Sequence, residues 1–426
     1  MQSKKNNIIL TQMILGGISM FKRKLYNQLI SDLKSDLFII ITGARQVGKT
    51  TILKQLFSYL KQKNTIVHYL NLEDPDILNA LNEHPKNIFS LYSSQNTKKV
   101  YFLIDEIQYL ENPTNFLKYL YDEYSQSVKL YVTGSSAFYL DSKFKDSLAG
   151  RKKLYTLNTL SLSEYLHFNG KDDLCKVIYG LTYDNLSLNK IPTAYKRDLD
   201  NYIDTYMNYG GYPRVVLAQS EDEKQEILFD LINSYIKKDI LESGVKNEQN
   251  VRNLLKIIAS QSGNLLNANN LSNLLGLSHT AIENYLYILQ KSFILNLIRP
   301  FSTNIRTEIK KMPKVYFTDL GLRNALLKDF RPLELKQDKG QIYENFIFRQ
   351  FLDRIPNDDI NFWRQQQGAE IDFIIKKKIA FEVKYNKALI SSNKYGAFKK
   401  QYPQIPLKFI YREGKSGKDE KNYWKF

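Results

Sequence analysis

The chain has 426 residues, more than one ordinary domain holds, so two to four domains are expected. Its apolar content of 43% allows a buried core in each domain, and its net charge of +17 favours contact with polyanions. Cys175 is the only cysteine, which excludes intrachain disulfides and four-cysteine zinc sites. No apolar run reaches the roughly 18 to 20 residues that cross a bilayer, so the sequence predicts no membrane contact and a cytoplasmic location.

The first 19 residues are interpreted as a segment outside the folded protein. They combine early lysines with a mildly apolar stretch, but Thr11 and Gln12 interrupt that stretch and no small-residue cleavage site follows, which argues against a signal peptide. Two glycines shortly before Met20 fit an in-frame reading of a purine-rich ribosome-binding site. We therefore predict that translation starts at Met20 rather than Met1, with residues 1–19 as an untranslated leader or a disordered tail. Mass spectrometry of N-terminal peptides tests this.

The next segment predicts strands that alternate with helices. A helix is predicted over Lys22–Leu33, a buried strand over Leu37–Thr42, and an amphipathic helix over Thr50–Lys61. Four further short apolar runs predict strands over Thr65–Leu72, Val100–Ile104, Lys129–Thr133 and Lys153–Leu157. Such alternation predicts a parallel sheet covered on both faces.

The remainder of the chain is predicted to be helical first and mixed afterwards. Apolar spacing is helical from Ser161 to Ser243, with breakers at Gly210-Gly211, which indicates a helical lid or connector. Residues 250–290 are helical again, and from Leu333 onward the order is helix–strand–strand–strand–helix–strand.

The loop after the first strand is predicted to bind a nucleoside triphosphate, ATP with Mg²⁺. Gly43–Thr50 fits G-x-x-x-x-G-K-[ST] in full and lies between a predicted strand and a predicted helix, so it differs from an ordinary glycine turn. Its glycines let backbone N–H groups surround phosphate oxygens beside a helix N-terminus. Lys49 can reach the β- and γ-phosphates, and the Thr50 hydroxyl can bind Mg²⁺. The predicted nucleotide-binding residues are Gly43, Ala44, Arg45, Gln46, Val47, Gly48, Lys49, Thr50 and Thr51.

Two carboxylates follow the third predicted strand. Asp105 and Glu106 come directly after the apolar run Val100–Ile104, at the end of a buried strand that faces the nucleotide. Asp105 is predicted to hold Mg²⁺ through water, and Glu106 is predicted to orient and deprotonate the attacking water.

Polar residues follow the next strand as well. Thr133 or Ser135, in Leu130–Ser136, can hydrogen-bond the γ-phosphate or the lytic water, although a simple strand-ending turn is the alternative. Arg151, in Leu148-Ala-Gly-Arg151, can neutralise charge in the transition state, either in its own chain or on a neighbouring subunit. A solvated arginine is the alternative.

Together these motifs resemble the AAA-type ATPases. The resemblance is closer to a prokaryotic family in which an AAA core is fused to a C-terminal domain of unknown function. Its signatures are Gly43–Thr50, the Gly134-Ser-Ser136 turn followed by Leu-Ala-Gly-Arg151, Tyr209-Gly-Gly-Tyr-Pro213 and Gly368-Ala-Glu-Ile-Asp372. The resemblance extends from Met20 to the end of the chain. It implies ATPase activity and a helical connector, and it implies no biological role.

A helix-turn-helix is predicted over Asn270–Leu275 and His279–Leu289, with Ser278 as the N-cap of the second helix. Two strands, Phe293–Pro300 and Lys314–Phe317, can form its wing. The basic residues on or near the wing, which can contact phosphates without reading sequence, are Arg299, Arg306, Lys310, Lys311 and Lys314. The second helix has no Arg or Lys before Lys291, so backbone or protein contact is favoured over base recognition.

The last region carries residues that suit a nuclease. Asp372 on one strand and Glu382 with Lys384 on the next can bind Mg²⁺ and position a water for phosphodiester hydrolysis, and Glu344 on the preceding helix can complete the site. Asp372, Glu382 and Glu344 are the predicted metal ligands, and Lys384 is the predicted catalytic residue. The order resembles the PD-(D/E)xK nuclease superfamily, although Ile371 replaces the usual proline. The alternative is a strand pair with a surface ion pair.

Positive charge is concentrated beside this proposed site. Residues 376–426 carry 14 Lys and Arg against 4 Asp and Glu, an asymmetry that a uniform composition would not produce. The basic C-terminal region therefore predicts contact with DNA or RNA.

The predicted fold class is α/β: a P-loop parallel-sheet AAA-type core, a helical connector with a winged helix-turn-helix, and a C-terminal α/β nuclease-like domain. The predicted segments are 1–19 (leader or tail), 20–165 (ATPase), 166–245 (helical lid), 246–330 (winged helix) and 331–426 (nuclease-like). The predicted function is ATP hydrolysis that drives or gates engagement of nucleic acid, with homo-oligomers as an expected form. The alternative is a nucleotide-dependent switch whose tail binds a protein partner and cuts nothing.

Overall fold

The computed structural model of the protein describes residues 21–91, 99–134, 148–188, 193–241, 245, 247–302, 311–365, 368–414 and 423–426. The chain divides into two compact units, residues 1–158 (unit 1) and 159–426 (unit 2). Three predictions lie outside the described residues: the segment 1–19, the serines Ser135 and Ser136, and the wing residues Arg306 and Lys310.

Unit 1 is built on a sheet of parallel strands. The strands are Phe38–Thr42 (β1), Ile66–Asn71 (β2), Val100–Asp105 (β3), Val128–Gly134 (β4) and Lys152–Thr156 (β5). They lie in the order β2-β3-β4-β1-β5, and every pair is parallel. β1 is buried along its whole length, as its β-branched sequence requires when helices cover both faces. The parallel sheet predicted from the alternating elements is confirmed.

Helices of unit 1 begin at recognisable caps. They are Lys24–Ser31 (α1), Lys49–Gln62 (α2), Pro75–Glu83 (α3), Asn87–Leu91 (α4) and Pro113–Tyr124 (α5), with 3₁₀ turns at Asp32–Lys34 and Ile107–Tyr109. The Asn112 side chain accepts the Asn115 N–H, and Pro113 occupies the first helical position of α5. Both features stabilise a helix start, because the first N–H groups of a helix have no partner within it.

Unit 2 begins with helices. They are Leu162–Phe168 (α6), Asp172–Tyr179 (α7), Thr193–Tyr209 (α8), Pro213–Leu217 (α9), Glu221–Ser234 (α10), Glu248–Ser260 (α11), Ala268–Leu275 (α12), His279–Lys291 (α13), Leu320–Leu327 (α14), Lys339–Leu352 (α15) and Gly396–Gln401 (α16). A π-helical segment, Tyr235–Leu241, follows α10, and 3₁₀ turns lie at Leu333–Leu335, Asn357–Asp359, Lys387–Leu389 and Ser392–Tyr395. In the described part of residues 161–243, helices predominate as predicted.

The predicted helix-turn-helix spacing is present in α12 and α13. Gly276 ends α12 in the left-handed conformation with a φ of 64°. The Ser278 side chain accepts the Ala281 N–H at 3.2 Å, so Ser278 is the N-cap of α13, as predicted. Whether this element is a winged helix stays a prediction.

A second sheet occupies unit 2. Its strands are Leu295–Pro300 (β6), Lys314–Phe317 (β7), Ile360–Arg364 (β8), Glu370–Ile375 (β9), Ile379–Asn386 (β10), Leu407–Glu413 (β11) and Tyr423–Lys425 (β12). They lie in the order β12-β11-β10-β9-β8-β6-β7. The predicted wing strands β6 and β7 belong to this sheet, because β6 pairs with β8 at Arg299↔Asn361 and Pro300↔Phe362. The predicted boundary at residue 330 therefore separates strands of one continuous sheet.

Candidate functional site

The loop Gly43–Thr50 surrounds the side chain of Lys49. The Lys49 ammonium donates to the carbonyl oxygens of Gly43 and Ala44 at 2.9 and 2.7 Å, and the side chain is buried. Gly43 has a φ of 149°, and a Cβ atom there would lie 2.1 Å from the Leu157 carbonyl oxygen, so glycine is required. Gly48, with a φ of 97°, precedes the first residue of α2. The loop thus joins a buried strand to a helix N-terminus, the arrangement that holds phosphate.

An arginine outside the motif also contacts the loop. Arg23, 7% exposed, donates to the Val47 carbonyl oxygen at 2.6 Å and to the Asn158 carbonyl oxygen at 2.8 Å. These bonds connect the segment before α1 to the phosphate loop and to the end of β5. The motif gave no signal for Arg23, because its partners are main-chain atoms 24 and 135 residues away.

The other predicted nucleotide-binding side chains differ in exposure. Arg45 and Thr50 are half-buried, whereas Gln46 and Thr51 are exposed. Gln46 adopts a left-handed conformation with a φ of 57°, which is uncommon for a residue with a Cβ atom. Thr50 lies in the first turn of α2, where its hydroxyl belongs to a ligand type that Mg²⁺ accepts.

Asp105 is 2% exposed and is held by two hydroxyl groups. Tyr69 donates to Asp105 Oδ2 at 2.8 Å, and Thr133 donates to Asp105 Oδ1. Burial, together with the neighbouring Asp105 carboxylate, raises the pKa of the Tyr69 phenol above its ordinary value, so Tyr69 remains a hydrogen-bond donor. β4 lies between β1 and β3, which places Asp105 about 10 Å, or two strand spacings, from the strand that carries the phosphate loop.

Glu106 follows in a strained backbone position. Its φ of 61° is left-handed, and its N–H donates to Thr133 Oγ1 at 3.1 Å. The Gln108 amide donates to the Glu106 carboxylate. Thr133 therefore bonds both acidic residues, while Ser135, the other predicted sensor, lies outside the described residues.

Arg151 lies at the opposite edge of the sheet from the phosphate loop. Its carbonyl oxygen accepts the N–H of Phe38, the first residue of β1, at 3.0 Å, and its guanidinium donates to Asp122 at 2.6 Å. The five residues of β1 span roughly 16 Å between that edge and the loop. This placement does not support the role predicted for Arg151 within its own chain, and the role on a neighbouring subunit stays a prediction.

Unit 2 places a lysine among the carboxylates predicted to bind metal. The Lys314 side chain on β7 is 2% exposed, and its Nζ lies 3.1 Å from Glu344 Oε1 and 3.2 Å from Asp372 Oδ1. Lys314 also forms an ion pair with Glu370. Burial alone would lower the pKa of Lys314, but Glu344 and the other carboxylates raise it well above its ordinary value, so the ammonium is charged.

The wing role suggested for Lys314 is therefore wrong. A buried ammonium with carboxylate partners cannot also contact nucleic-acid phosphates without leaving the cluster. Arg299 and Lys311, two other basic residues of the wing, are exposed.

A β-bulge sets the position of Asp372. Asn361 pairs with Ile374 and Trp363 pairs with Ile371, so two residues of β9 face one residue of β8. On the other side of β9, the Asp372 carboxylate accepts the N–H of Val383 at 2.8 Å and so takes a hydrogen bond from the neighbouring strand. Asp372 is thereby fixed between β9 and β10.

Glu382 and Lys384 share one face of β10, as predicted, but that face is turned away from the helix of Glu344. On the alternate positions, Phe381 and Tyr385 contact rings of α15, namely Phe351 at 5.1 Å and Tyr343 at 6.0 Å between centroids. The intervening residues of a strand point to the other face. The Lys384 ammonium lies 2.5 Å from Glu382 Oε1, so these two residues form their own ion pair.

Both glutamates of this region have perturbed acidity. Burial, reinforced by the charge of Asp372, raises the pKa of Glu344 to about 7 and that of Glu382 to about 8. The ammonium groups of Lys314 and Lys384 act in the opposite direction on their respective partners.

The predicted metal ligands do not fit a single Mg²⁺ ion. Glu344 and Asp372 both contact Lys314, whereas Glu382, although close enough to Asp372 to be affected by its charge, pairs with Lys384. Within the described ranges, no group of three or more His, Cys, Asp and Glu residues is arranged to hold a metal ion. The metal-binding role of Glu344, Asp372 and Glu382 and the catalytic role of Lys384 thus stay predictions that this arrangement does not support.

Comparison with known families matches the region of the phosphate loop to a described domain. Residues 35–166 match the family model described as an AAA domain. This segment, called the AAA-type domain below, is therefore similar to AAA-type P-loop domains. Residues 200–333 and 339–424 match models described as domains of unknown function, DUF8612 and DUF4143. The AAA-type core and the C-terminal domain of unknown function agree with the resemblance given by the motifs, and the nuclease resemblance stays a prediction.

Relatives cover most of the chain. Uncharacterized protein MJ1544 of Methanocaldococcus jannaschii is 27% identical over 86% of this chain and 79% of its own length. An uncharacterized protein of Haemophilus influenzae is 28% identical over 86% of this chain and 88% of its own. Among solved structures, the ORC2 protein of Aeropyrum pernix, in ADPNP–ADP complexes, is 13% identical and covers 79% of this chain and 97% of its own, with a TM-score of 0.41.

The AAA-type domain carries its acidic pair and phosphate loop where the motifs predict them, and Tyr69 and Arg23 add contacts that the motifs do not indicate. Tyr69 could have been suspected, because it lies near the carboxyl end of the strand beside β3.

In the part of the chain that the structure describes, no helix combines the length and the apolar character needed to cross a membrane.

Proposed function

We propose that the AAA-type domain binds ATP with Mg²⁺ and hydrolyses it. One arrangement carries this proposal: at the same edge of the parallel sheet, the loop of Lys49 follows β1, Asp105 ends β3 and Glu106 comes directly after it. Lys49 exchanges its loop carbonyl partners for β- and γ-phosphate oxygens. Thr50 and Asp105 would hold Mg²⁺, which would neutralise charge on the phosphate oxygens. Glu106 accepts a proton from the attacking water.

The hydroxyl contacts of Asp105 support this assignment. Thr133 and Tyr69 keep both carboxylate oxygens oriented inside a buried site, so Asp105 needs little rearrangement when Mg²⁺–ATP binds. Thr133 also bonds the Glu106 N–H, which couples the metal ligand to the base. Ser135 remains a second candidate for a γ-phosphate contact.

Two substitutions test ATP binding and hydrolysis separately. Lys49→Ala is expected to abolish ATP binding, because it removes the cation of the phosphate loop. Glu106→Gln is expected to retain ATP and to lose turnover by at least about 100-fold, the usual contribution of a general base. Lys61→Ala, an exposed lysine on the same helix, is the matched control. Normal ATP affinity in Lys49→Ala contradicts the site, and undiminished turnover in Glu106→Gln contradicts the assigned base.

Arg151 suits a homo-oligomer in which it reaches the nucleotide of a neighbouring subunit. Its side chain is partly exposed, and this partial exposure and its distance from its own phosphate loop support this form of the proposal. Mixing the Arg151→Ala and Glu106→Gln proteins is then expected to restore part of the ATPase activity. In a mixed oligomer, one type of interface combines the native Glu106 of one subunit with the native Arg151 of its neighbour. If the mixture stays as inactive as the separate variants, Arg151 does not act across subunits.

A second candidate function concerns unit 2. Of the two predicted roles for the tail, nucleic-acid cleavage and binding without cleavage, the contacts of Lys314 favour binding without cleavage. The basic character of residues 376–426 supports DNA or RNA as the partner, and a protein is the alternative. Salt-dependent binding of single-stranded and branched DNA with no Mg²⁺-dependent cleavage is the expected result. Cleavage that disappears in Asp372→Ala and Glu382→Ala would establish the nuclease instead.

A further inference from the structure

We propose that Lys314 is the resident cation of the carboxylate cluster in unit 2 and takes the place that a divalent metal would otherwise occupy. The carboxylate cluster is defined here as Glu344, Glu370 and Asp372. This inference rests on the second candidate function, binding without cleavage, and it is independent of ATP hydrolysis. It explains why a sequence with nuclease-like spacing gathers its acidic residues around an ammonium group.

The stoichiometry of the cluster suits one lysine. An ammonium group has three N–H donors and no acceptor, and Lys314 meets three carboxylates from two elements, helix α15 and strand β9. Its side chain is 2% exposed, so water does not compete with the carboxylates for the three donors. Removing the charge would leave buried carboxylates facing one another.

The distances suit an ammonium better than Mg²⁺. The nearest oxygens of Glu344 and Asp372 lie 3.1 and 3.2 Å from Nζ, which is hydrogen-bonding distance. Mg²⁺ requires oxygens at about 2.0–2.1 Å in octahedral geometry. Both carboxylates would have to move inward by about an ångström, and the bond from Val383 to Asp372 restrains one of them. A divalent ion beside the buried ammonium would also be repelled.

The surroundings of Lys314 are fixed by contacts on the same strand. Tyr316 donates to Glu344 Oε1 at 2.6 Å. Asn345 binds the backbone of Phe317 in both directions, accepting its N–H and donating to its carbonyl oxygen at 2.9 Å each. β7 is thereby joined to α15 at Glu344 and Asn345, which holds the strand of Lys314 beside the carboxylate of Glu344.

The position of Lys314 also connects two family segments. Lys314 belongs to the DUF8612 match, whereas all three carboxylates belong to the DUF4143 match. The ion cluster is therefore a link within unit 2 between segments that family models treat separately. If a metal held the two segments together, their contact would depend on the concentration of divalent ions. A lysine supplies the positive charge from the chain itself, so the contact does not depend on such ions.

The first test measures Mn²⁺ binding to the full-length protein without nucleotide, by electron paramagnetic resonance. An Asp105→Asn background removes the metal ligand of the ATP site. The expected result is no saturable binding when Lys314 is present. Saturable binding that disappears when Asp372→Asn is added overturns the proposal.

The second test replaces the lysine. Lys314→Met keeps most of the length of the side chain and removes the charge. The melting temperature of unit 2 is therefore expected to fall without metal and to rise again with Mn²⁺, together with new saturable binding. Lys311→Met, an exposed lysine three residues earlier, is the matched control and is expected to change neither quantity. A Lys314→Met protein with an unchanged melting temperature and no Mn²⁺ binding overturns the proposal.

A third variant covers the case in which Lys314→Met does not fold. Adding Glu344→Gln and Asp372→Asn removes two of the carboxylate charges left without a counter-ion, so the triple variant is expected to recover soluble, cooperatively melting protein. A triple variant no more soluble than Lys314→Met refutes the cation role. All measurements use nucleotide-free protein, so their failure is distinguishable from failure of the ATPase proposal.

Discussion

The bond between Tyr69 and Asp105 provides a quantitative test of the AAA-type site. Tyr69→Phe removes one oxygen atom and leaves the ring in place, so Asp105 Oδ2 loses the donor at 2.8 Å. Asp105 is 2% exposed, which prevents water from replacing that donor freely. A hydrogen bond to a charged group contributes about 1.5–3 kcal/mol. The free energy of unfolding of unit 1 is therefore expected to fall by that amount.

Native-state hydrogen exchange followed by mass spectrometry measures this loss in unit 1 alone. Peptides from β2 and β3 are the reporters, because Tyr69 and Asp105 lie on these two strands. A loss of about 1.5–3 kcal/mol corresponds to exchange that is about 10- to 150-fold faster for amides that open by unfolding of the unit. Tyr59→Phe, a half-buried tyrosine on α2, is the matched control.

The Mg²⁺ dependence of ATP binding provides a second measurement on the Tyr69→Phe variant. Asp105 of the Tyr69→Phe protein can turn away from the metal position, so a higher Mg²⁺ concentration is expected to be needed for half-maximal ATP binding. Unchanged exchange rates in β2 and β3, with unchanged Mg²⁺ dependence, would show that Tyr69 does not hold Asp105 and would refute the reasoning.

Two further substitutions in unit 1 test the close approach at Gly43 and the burial of Lys129. Gly43→Ala is expected to lower the affinity for ATP at least about tenfold, or about 1.4 kcal/mol, because the added Cβ meets the Leu157 carbonyl oxygen. Isothermal titration with ATP measures this loss. Gly150→Ala is the control for left-handed backbone strain, because Gly150 has a φ of 73° and no atom within 4 Å of the added Cβ. Burial, reinforced by Lys99, lowers the pKa of Lys129 to about 8 from 10.5. Below pH 8 the charged ammonium therefore lowers the free energy of unfolding. This destabilisation decreases as the pH rises from 8 to 10.5. Wild type is thus expected to gain stability relative to Lys129→Met between pH 8 and 10.5 in denaturant titrations, and parallel profiles would contradict the assignment.

Local patterns predicted the parts of the fold that short segments determine. The apolar run before Gly43, the glycine spacing and the Lys49-Thr50 pair lie within 14 residues, and strand, loop and helix follow from them directly. The N-cap at Ser278 is equally local, because a cap bonds N–H groups two or three residues later. Alternation along β10 correctly placed Glu382 and Lys384 on one face.

Long-range packing decided what those residues contact. Arg151 follows the Gly134 turn within 17 residues, but the parallel pairing of β1 and β5 places it at the far edge of the sheet from the phosphate loop. Glu344 and Glu382 both have the residue type of a metal ligand, yet α15 covers only one face of β10, and Glu382 lies on the other. The two-residue period of a strand shows which side chains share a face of the sheet. It does not show which of the two faces the helix covers.

The sequence by itself determined a phosphate loop with its acidic partners, because their function depends on backbone geometry that a few adjacent residues impose. The tertiary structure alone decided that Lys314 stands among Glu344, Glu370 and Asp372. These residues lie 30 to 58 positions from Lys314, and only the pairing of β6 with β8 and the packing of α15 on β7 bring them together. The physical reason is that a buried charge is defined by what surrounds it, and those surroundings are assembled from distant parts of the chain.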